Sequence, residues 1–417
     1  MGLDPARRGF PIWLLGLANL PLGVTGALGL MVAPEVLAAR HIPETTIADI
    51  TTMGLVGNFA FFLVAPILDV HFSRRTYAIA MSSAATILTF VAVLSFANLG
   101  LLAVCLFLAM LAANLNTSAL GGWFGSALPK EQDTPLGAWF AAVTFGGFGL
   151  ASILGIELIH HAPLWLAATI LAAMNLPPLV IILSVSCPAD ERSRLTESFG
   201  RFGKELIELA RRSDVRRLSL LLILPCTAFA LTNTLGGLGR DYHASETLIA
   251  TIGGVGVTAA GIFGSLTVPA LGRRAGLISV YLGIGIIGGL STLSLLVLPH
   301  TPTVYTIGFV AQNIWQSAGL AAGTALILSS IGKNNPLAST QFAILNAALA
   351  TPLIYMQWID GHAYGARGLT GLYLTDGGLD LASCVVMIGL FLLWSKLSRG
   401  VPERSDASLA DPLHRVA

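Results

Sequence analysis

The sequence predicts an all-α integral membrane protein, with twelve transmembrane helices in two six-helix halves and both the N- and C-termini cytoplasmic. Three observations carry that expectation. Of the 417 residues, 54% are hydrophobic and only 11% charged, too little polar surface to enclose so much apolar chain in water. Apolar runs of about twenty residues recur along the whole chain, the length needed to cross a hydrocarbon core about 30 Å thick. They fall six on either side of one polar interlude, Cys187 to Arg217, which holds eight of the 23 basic and six of the 22 acidic residues. The expected division is a first bundle over 1–186, a cytoplasmic linker over 187–217, and a second bundle with a short polar tail over 218–417.

Each run is placed by its length and by the basic residues that flank it. The first, 10–37, follows Arg7 and Arg8 and is separated by Arg40 from the second, 46–68. Arg74 and Arg75 precede the third, 76–97; the fourth, 100–120, is followed by Lys130 and then by the fifth, 136–159, and the sixth, 164–186. After the linker come 218–238, Arg240 and 247–270, then Arg273, Arg274 and 277–298. The last three are 304–331, followed by Lys333, then 340–359, Arg367, and 378–395, with Lys396, Arg399, Arg404 and Arg415 in the tail. With the N-terminus inside, twenty basic residues are cytoplasmic and three (Arg40, Arg240, Arg367) lie outside, the asymmetry that fixes orientation in a membrane. The first run is too long for the core of a cleavable signal peptide.

Composition excludes several classes. A net charge of +1 offers no basic face for nucleic acid. Cys105, Cys187, Cys226 and Cys384 are scattered without metal or disulfide spacing and read as small apolar residues. In the linker, Phe199, Phe202, Leu206 and Leu209 recur at helical spacing, with Arg201, Lys204, Glu205, Glu208 and Arg212 between them. That pattern fits an amphipathic helix on the membrane surface, or a solvated connector.

Between the second and third runs stands Ala65-Pro66-Ile67-Leu68-Asp69-Val70-His71-Phe72-Ser73-Arg74-Arg75, and its counterpart in the second half is Leu271-Gly272-Arg273-Arg274-Ala275-Gly276. The first resembles the loop signature of the major facilitator superfamily, an acid followed by paired bases, although Val70 stands where a base is usual. A carboxylate here can pair with the arginines or face a neighbouring helix N-terminus, so Asp69, Arg74, Arg75, Arg273 and Arg274 are gate candidates. The arginines can equally be membrane anchors.

A narrower resemblance follows. Leu20-Pro21-Leu22-Gly23-Val24-Thr25-Gly26, Phe62-Leu63-Val64-Ala65-Pro66-Ile67-Leu68-Asp69 and Ala338-Ser339-Thr340-Gln341-Phe342-Ala343-Ile344-Leu345-Asn346 resemble the AmpG-like permeases, relatives of the acetyl-CoA transporters. This implies a twelve-helix permease of the bacterial inner membrane that moves an organic solute, often with protons. The departures concern charge: Asn116-Thr117 and Gly121-Gly122-Trp123 lack the acids of that pattern, Phe61 replaces a lysine and Phe148 a base. Losing one buried charge favours losing its partners, so the muropeptide cargo of that group does not carry over.

What remains at mid-membrane is neutral and polar. In the superfamily's plan, helices one, four, seven and ten face the cavity. They carry Asn19 and Thr25; Asn114, Asn116 and Thr117; Thr232, Asn233 and Thr234; and Gln312, Asn313, Trp315, Gln316 and Ser317. Gln312 and Gln316, four apart, share one helix face. These are candidates to hydrogen-bond a solute, the alternative being helix-to-helix bonds. Glu157 and Asp360 are the proton-coupling candidates, or else interfacial carboxylates in reach of water. Glu157, His160 and His161 have metal-capable spacing with no further ligand in view, so no metal or cofactor is expected. No motif supports an enzyme. The expected partners are a small organic solute, protons in a symport variant, and the lipid bilayer, with the chain acting as a monomer. The competing class is a non-transporting assembly or sensing protein of the same fold.

Overall fold

The computed structural model describes residues 11–185, 207–209, 211–232, 238–333 and 335–399. Among them, nine stretches are long and apolar enough to cross a membrane. In chain order the elements are α1 (Ile12–Ala39), α2 (Thr45–Asp69), α3 (Arg74–Leu94), α4 (Leu99–Ala127), α5 (Lys130–His161) and α6 (Leu164–Ser184). Then follow α7 (Ser213–Ile223), α8 (Glu246–Gly272), α9 (Leu277–Ser294) and α10 (Pro302–Ser330). A final helical run, Ala338–Arg399, bends at Gly368 (φ 59°, ψ −149°) into α11 (338–367) and α12 (369–399). No strand occurs among the described residues.

Local chemistry explains several ends. Ser73 and Asn98 cap α3 and α4, accepting from the backbone N–H of Thr76 and Leu101, which satisfies donors that a helix start leaves orphaned. In α1 a π-turn over Leu28–Val32 runs into Ala33-Pro34, where proline lacks the N–H that a regular α-turn would use.

Three expectations change. The seventh span, 218–238, is not one helix. It stops at Leu224, whose backbone is extended (ψ 146°) ahead of Pro225, as steric clash with a following proline requires. The chain then turns through Phe229 at φ 44°, and Asn233 and Thr234 lie outside the described residues. The eleventh and twelfth spans, expected over 340–359 and 378–395, extend to 367 and begin at 369. Apolarity ends near the bilayer surface, whereas hydrogen-bonded helix continues beyond it. α10, 29 residues long, is not among the nine apolar stretches. The amphipathic-helix reading of the linker falls mostly on residues outside the described ones; of its apolar positions, Leu209 is buried.

Packing separates one shared core from two local ones. Val24, Leu28, Ile50, Leu102 and Leu171 form a core within the first half, and Leu231, Tyr242, Tyr305 and Tyr373 one within the second. The largest core joins both, with Trp123, Phe124 and Leu136 packed among Ile327, Ile331 and Phe342. The same face carries the ends of the linker. Arg75 donates to the carbonyls of Ile182 and Leu183 at the end of α6, and Leu209 and Val215 line a groove with Gln341 and Ile344 of α11. The start of α1 packs on the last part of α6, Leu176–Ser184, and Arg217 lies 5.0 Å over the Trp394 ring near the end of α12.

Candidate functional site

The loop between α10 and α11 is gripped from three sides by side chains of the first half. Asp69, at the end of α2, faces the N-terminus of α11. Its Oδ1 accepts from the Ser339 N–H (3.2 Å), and its Oδ2 from the Thr340 N–H (2.7 Å) and hydroxyl (2.8 Å). Arg74 donates to Asp69 Oδ1 at 3.0 Å, both side chains being buried. The same guanidinium donates to the carbonyls of Asn335 (2.9 Å) and Pro336 (3.1 Å). Lys130, at the start of α5, donates to the carbonyls of Ser329 (2.8 Å) and Ile331 (2.6 Å) at the end of α10. An anion thus meets a helix N-terminus and a cation a helix C-terminus, the two favourable senses of the helix dipole.

Of the five gate candidates, Asp69 and Arg74 span the two halves, Arg75 holds its own half, and Arg273 and Arg274 are exposed. Lys130 was legible only as one more cytoplasmic basic residue; its position opening a helix after Pro129 was the available signal.

Glycines let the halves close on this face. A Cβ on Gly121 would collide with the Phe342 ring, and one on Gly122 with Ser339. At Gly137 it would lie 2.7 Å from the Ala325 nitrogen and 3.0 Å from the Ala321 oxygen, backbone that cannot move aside. Gly137→Val is therefore expected to leave a folded protein whose α5–α10 crossing cannot close. Alkylation of a cysteine placed at Leu128, buried in this core, should rise at least tenfold over the same probe with Gly137 intact.

The polar candidates form two groups. In the first half, Asn19 is the hub. Its Nδ2 donates to Thr144 Oγ1 (3.0 Å) and the Phe140 carbonyl (3.4 Å), and its Oδ1 accepts from Thr117 Oγ1 (2.6 Å). Asn116 donates to the Ala18 carbonyl (3.2 Å), and its buried Oδ1 has no partner. Asn114 points elsewhere, donating to Asn58 Oδ1 on α2 (2.9 Å) and to the Met110 carbonyl. Thr25 bonds back to the Pro21 carbonyl (2.7 Å).

In the second half, Gln316 donates to Thr232 Oγ1 (2.7 Å), and Gln312 to Thr292 Oγ1 on α9 (2.5 Å). Asn313 donates to its own helix at Phe309. The Trp315 indole N–H and Gln312 Oε1 are buried without a partner. In this state most of the amides are therefore spent on protein partners, leaving Asn116 Oδ1, Gln312 Oε1 and the Trp315 N–H unspent.

The two coupling candidates differ sharply. Glu157 is 68% exposed and lies 3.5 Å from His161. Asp360 is wholly buried, and so are two acids not among the sequence candidates, Asp376 just before the expected twelfth span and Asp380 within its first turn. Their signal was spacing. Asp376, Asp380 and Cys384 recur every fourth residue, hence on one face of α12. Thr292 Oγ1 lies 3.4 Å from Asp376 Oδ2, so the contact chain from Gln312 ends on a carboxylate.

A bundle of this kind, with apolar spans and a loop gripped by the opposite half, is that of a multi-pass integral membrane transporter. Residues 15–350 match the Major Facilitator Superfamily, and the chain belongs to that family, whose members are transporters rather than enzymes. Solved structures share the fold. The human organic anion transporter MFSD10 (TETRAN) superposes with a TM-score of 0.68 at 16% identity, covering 90% of this chain and 98% of its own. The E. coli fucose:proton symporter FucP gives 0.69 at 17% identity, covering 91% and 98%. A bacterial homologue of the iron transporter ferroportin, in its outward-facing state, gives 0.63 at 18% identity, covering 91% and 98%. Among curated proteins, none matches the chain in sequence.

Proposed function

We propose that this chain is a secondary transporter that moves a small, polar organic solute across the bacterial inner membrane by alternating access. Two bundles, 1–186 and 218–417, rock about the solute as twelve helices, with the linker 187–217 and both termini in the cytoplasm and the chain acting as a monomer. The observation that carries this reading is the three-sided grip on the α10–α11 loop. It is a closure between two bodies made by a few removable side-chain contacts, as a gate requires. The solute site is built from Asn19, Asn116 and Thr117 on one wall and Gln312, Asn313, Trp315 and Gln316 on the other, with Thr25 and Asn114 further out; Asn233 remains a candidate from the sequence alone. Opening on the other face exchanges part of the internal amide bonds for bonds to solute, each worth about 0.6–2 kcal/mol. A kinship with AmpG-like permeases fits the Pro21 and Ala338–Asn346 segments, while the neutral site argues for an uncharged cargo rather than a muropeptide.

The internally satisfied amides also suit a non-transporting sensing or assembly protein, in which they never part. Counterflow in proteoliposomes decides between the two. The panel is amino sugars, short peptides, siderophores and acyl-CoA esters, first ranked by thermal shift. Exchange of a labelled solute is the expected result, and its absence across every solute that shifts the melting temperature rejects a carrier. Gln316→Leu is expected to lower counterflow affinity about tenfold, roughly 1.4 kcal/mol, with folding preserved because Gln316 is only partly buried.

A further inference from the structure

We propose that Asp360 and Asp376 form a proton-binding carboxyl pair, the coupling site of the carrier, connected to the solute site through Thr292 and Gln312. The proposal rests on the transporter reading above for its purpose, not for its chemistry.

The pair is made by the α11–α12 hairpin. Asp360 and Asp376 stand eight residues before and after Gly368, the bend of the run, so the two arms bring them to the same depth, about 12 Å from the bend. Both are wholly buried, Asp360 has no donor on either oxygen and Asp376 none on Oδ1, and the hairpin sets the two carboxyl groups beside each other. Two buried carboxylates in contact cannot both be charged, and the arrangement is satisfied by one proton held between them. Asp380, one turn further along α12, is also wholly buried, and neither of its oxygens has a partner.

Among the described residues, the surroundings supply no compensating cation. The titratable groups that face the cluster are Tyr281 on α9, Tyr355 on α11, Cys384 on α12 and Cys226 in the broken stretch after α7. All are neutral when protonated. α10 contributes the amide of Gln312. Arg240 and Arg367 are exposed, and the undescribed residues 233–237 include no charged side chain. Among the described residues no three acidic, His or Cys side chains come together as a metal site, which points to a proton rather than a metal ion.

Two independent features tie the pair to transport. The amide of Gln312, wholly buried, donates to the Thr292 hydroxyl that also touches Asp376, and its own Oε1 is left without a partner. A change of charge on the pair therefore reaches a solute-site amide through one hydroxyl. The second feature is the broken stretch after α7. Its Leu231 N–H donates to Asp376, and its Cys226 carbonyl accepts from the Cys384 thiol. Non-helical backbone at membrane depth is tolerated where protein buries it or where it lines a cavity, and here its freed groups reach the carboxyl cluster, as unwound helices do at transporter ion sites.

Infrared spectroscopy of the full-length protein in lipid tests this without any solute. The wild type, grown with carbon-13 carboxyl-labelled aspartate, should show a protonated aspartic C=O band at neutral pH that shifts on deuterium exchange. In a background carrying Asp133→Asn and Asp380→Asn, which removes the other buried aspartates whose oxygens lack a partner, Asp360→Asn and Asp376→Asn should each remove at least half of that band, whereas Glu157→Gln should leave it unchanged. A labelled wild type without a protonated aspartate band at neutral pH overturns the proposal, even where the Asn variants fail to fold. So does a band that survives in both Asn variants. Failure of every counterflow assay would reject the carrier and leave this result standing; loss of the band would reject the pair and leave the carrier standing.

Discussion

Asp69→Asn should open the linker-side gate. The substitution takes a buried anion from the N-terminus of α11 and strands the Arg74 guanidinium beside it. Removing one member of a buried charged pair costs about 3–5 kcal/mol, because the survivor stays desolvated and uncompensated. The Asp69–Arg74 pair lies within the first half, but the bonds from both side chains to the α10–α11 loop exist only in the closed gate, and the loss of those bonds falls on that conformation rather than on folding. At about 1.4 kcal/mol per factor of ten, the closed state should lose at least a hundredfold in population relative to the open one. Alkylation of a cysteine at Leu128 should accelerate accordingly, and counterflow should fall by at least tenfold. Asp69→Ala with Arg74→Ala should be milder than Asp69→Asn alone, since it leaves no stranded charge. A double variant as severe as the sum of its parts would argue that the two side chains act separately.

The largest loss of stability is expected at Gly285. A side chain there would run into the Cys226 carbonyl of the broken stretch and the Cys384 thiol. Overpacking a core costs about 1–3 kcal/mol, and here the obstructing atom is backbone, held in place by the turn after Pro225. Gly285→Val should lower the melting temperature by several degrees or prevent assembly. Gly283, two residues away on the same helix, has open space at its Cβ position, and Gly283→Val should be neutral. Equal behaviour of the two variants would contradict the close α9–α12 crossing.

Much of the fold is legible in the sequence because the bilayer imposes one length and one composition on each crossing. Helix ends are less legible. α4 continues to Ala127 and α11 to 367, past the point where apolarity stops, since backbone hydrogen bonding has no need of apolar side chains in water. The break after α7 had a visible cause in Pro225, but Leu224, Cys226 and Ala228 kept the window apolar and masked it. Asn19, Thr117 and Gln312 announce themselves as amides and hydroxyls in apolar runs. Their partners do not, because Asn19 reaches Thr144 across 125 residues of chain. Asp376 and Asp380 are hidden because Asp376-Gly377-Gly378 reads locally as a turn, and only helical spacing through Cys384 says otherwise. Lys130 satisfies the orientation rule, and nothing else in its local sequence beyond Pro129 marks the bonds it makes to α10.

The grip on the α10–α11 loop has one more consequence. Arg74 and Lys130 hold main-chain oxygens, and Asp69 holds two main-chain nitrogens and one hydroxyl. Such a hold recognises the course of the chain rather than the identity of its side groups. Asn335 and Gln341 keep that course, bonding each other at 2.7 Å, and Gln341 reaches back to Ser330. Lys333 is therefore free to drift in evolution at no cost to the seal, whereas Asp69, Arg74, Lys130, Asn335 and Gln341 must travel together through any lineage that keeps it.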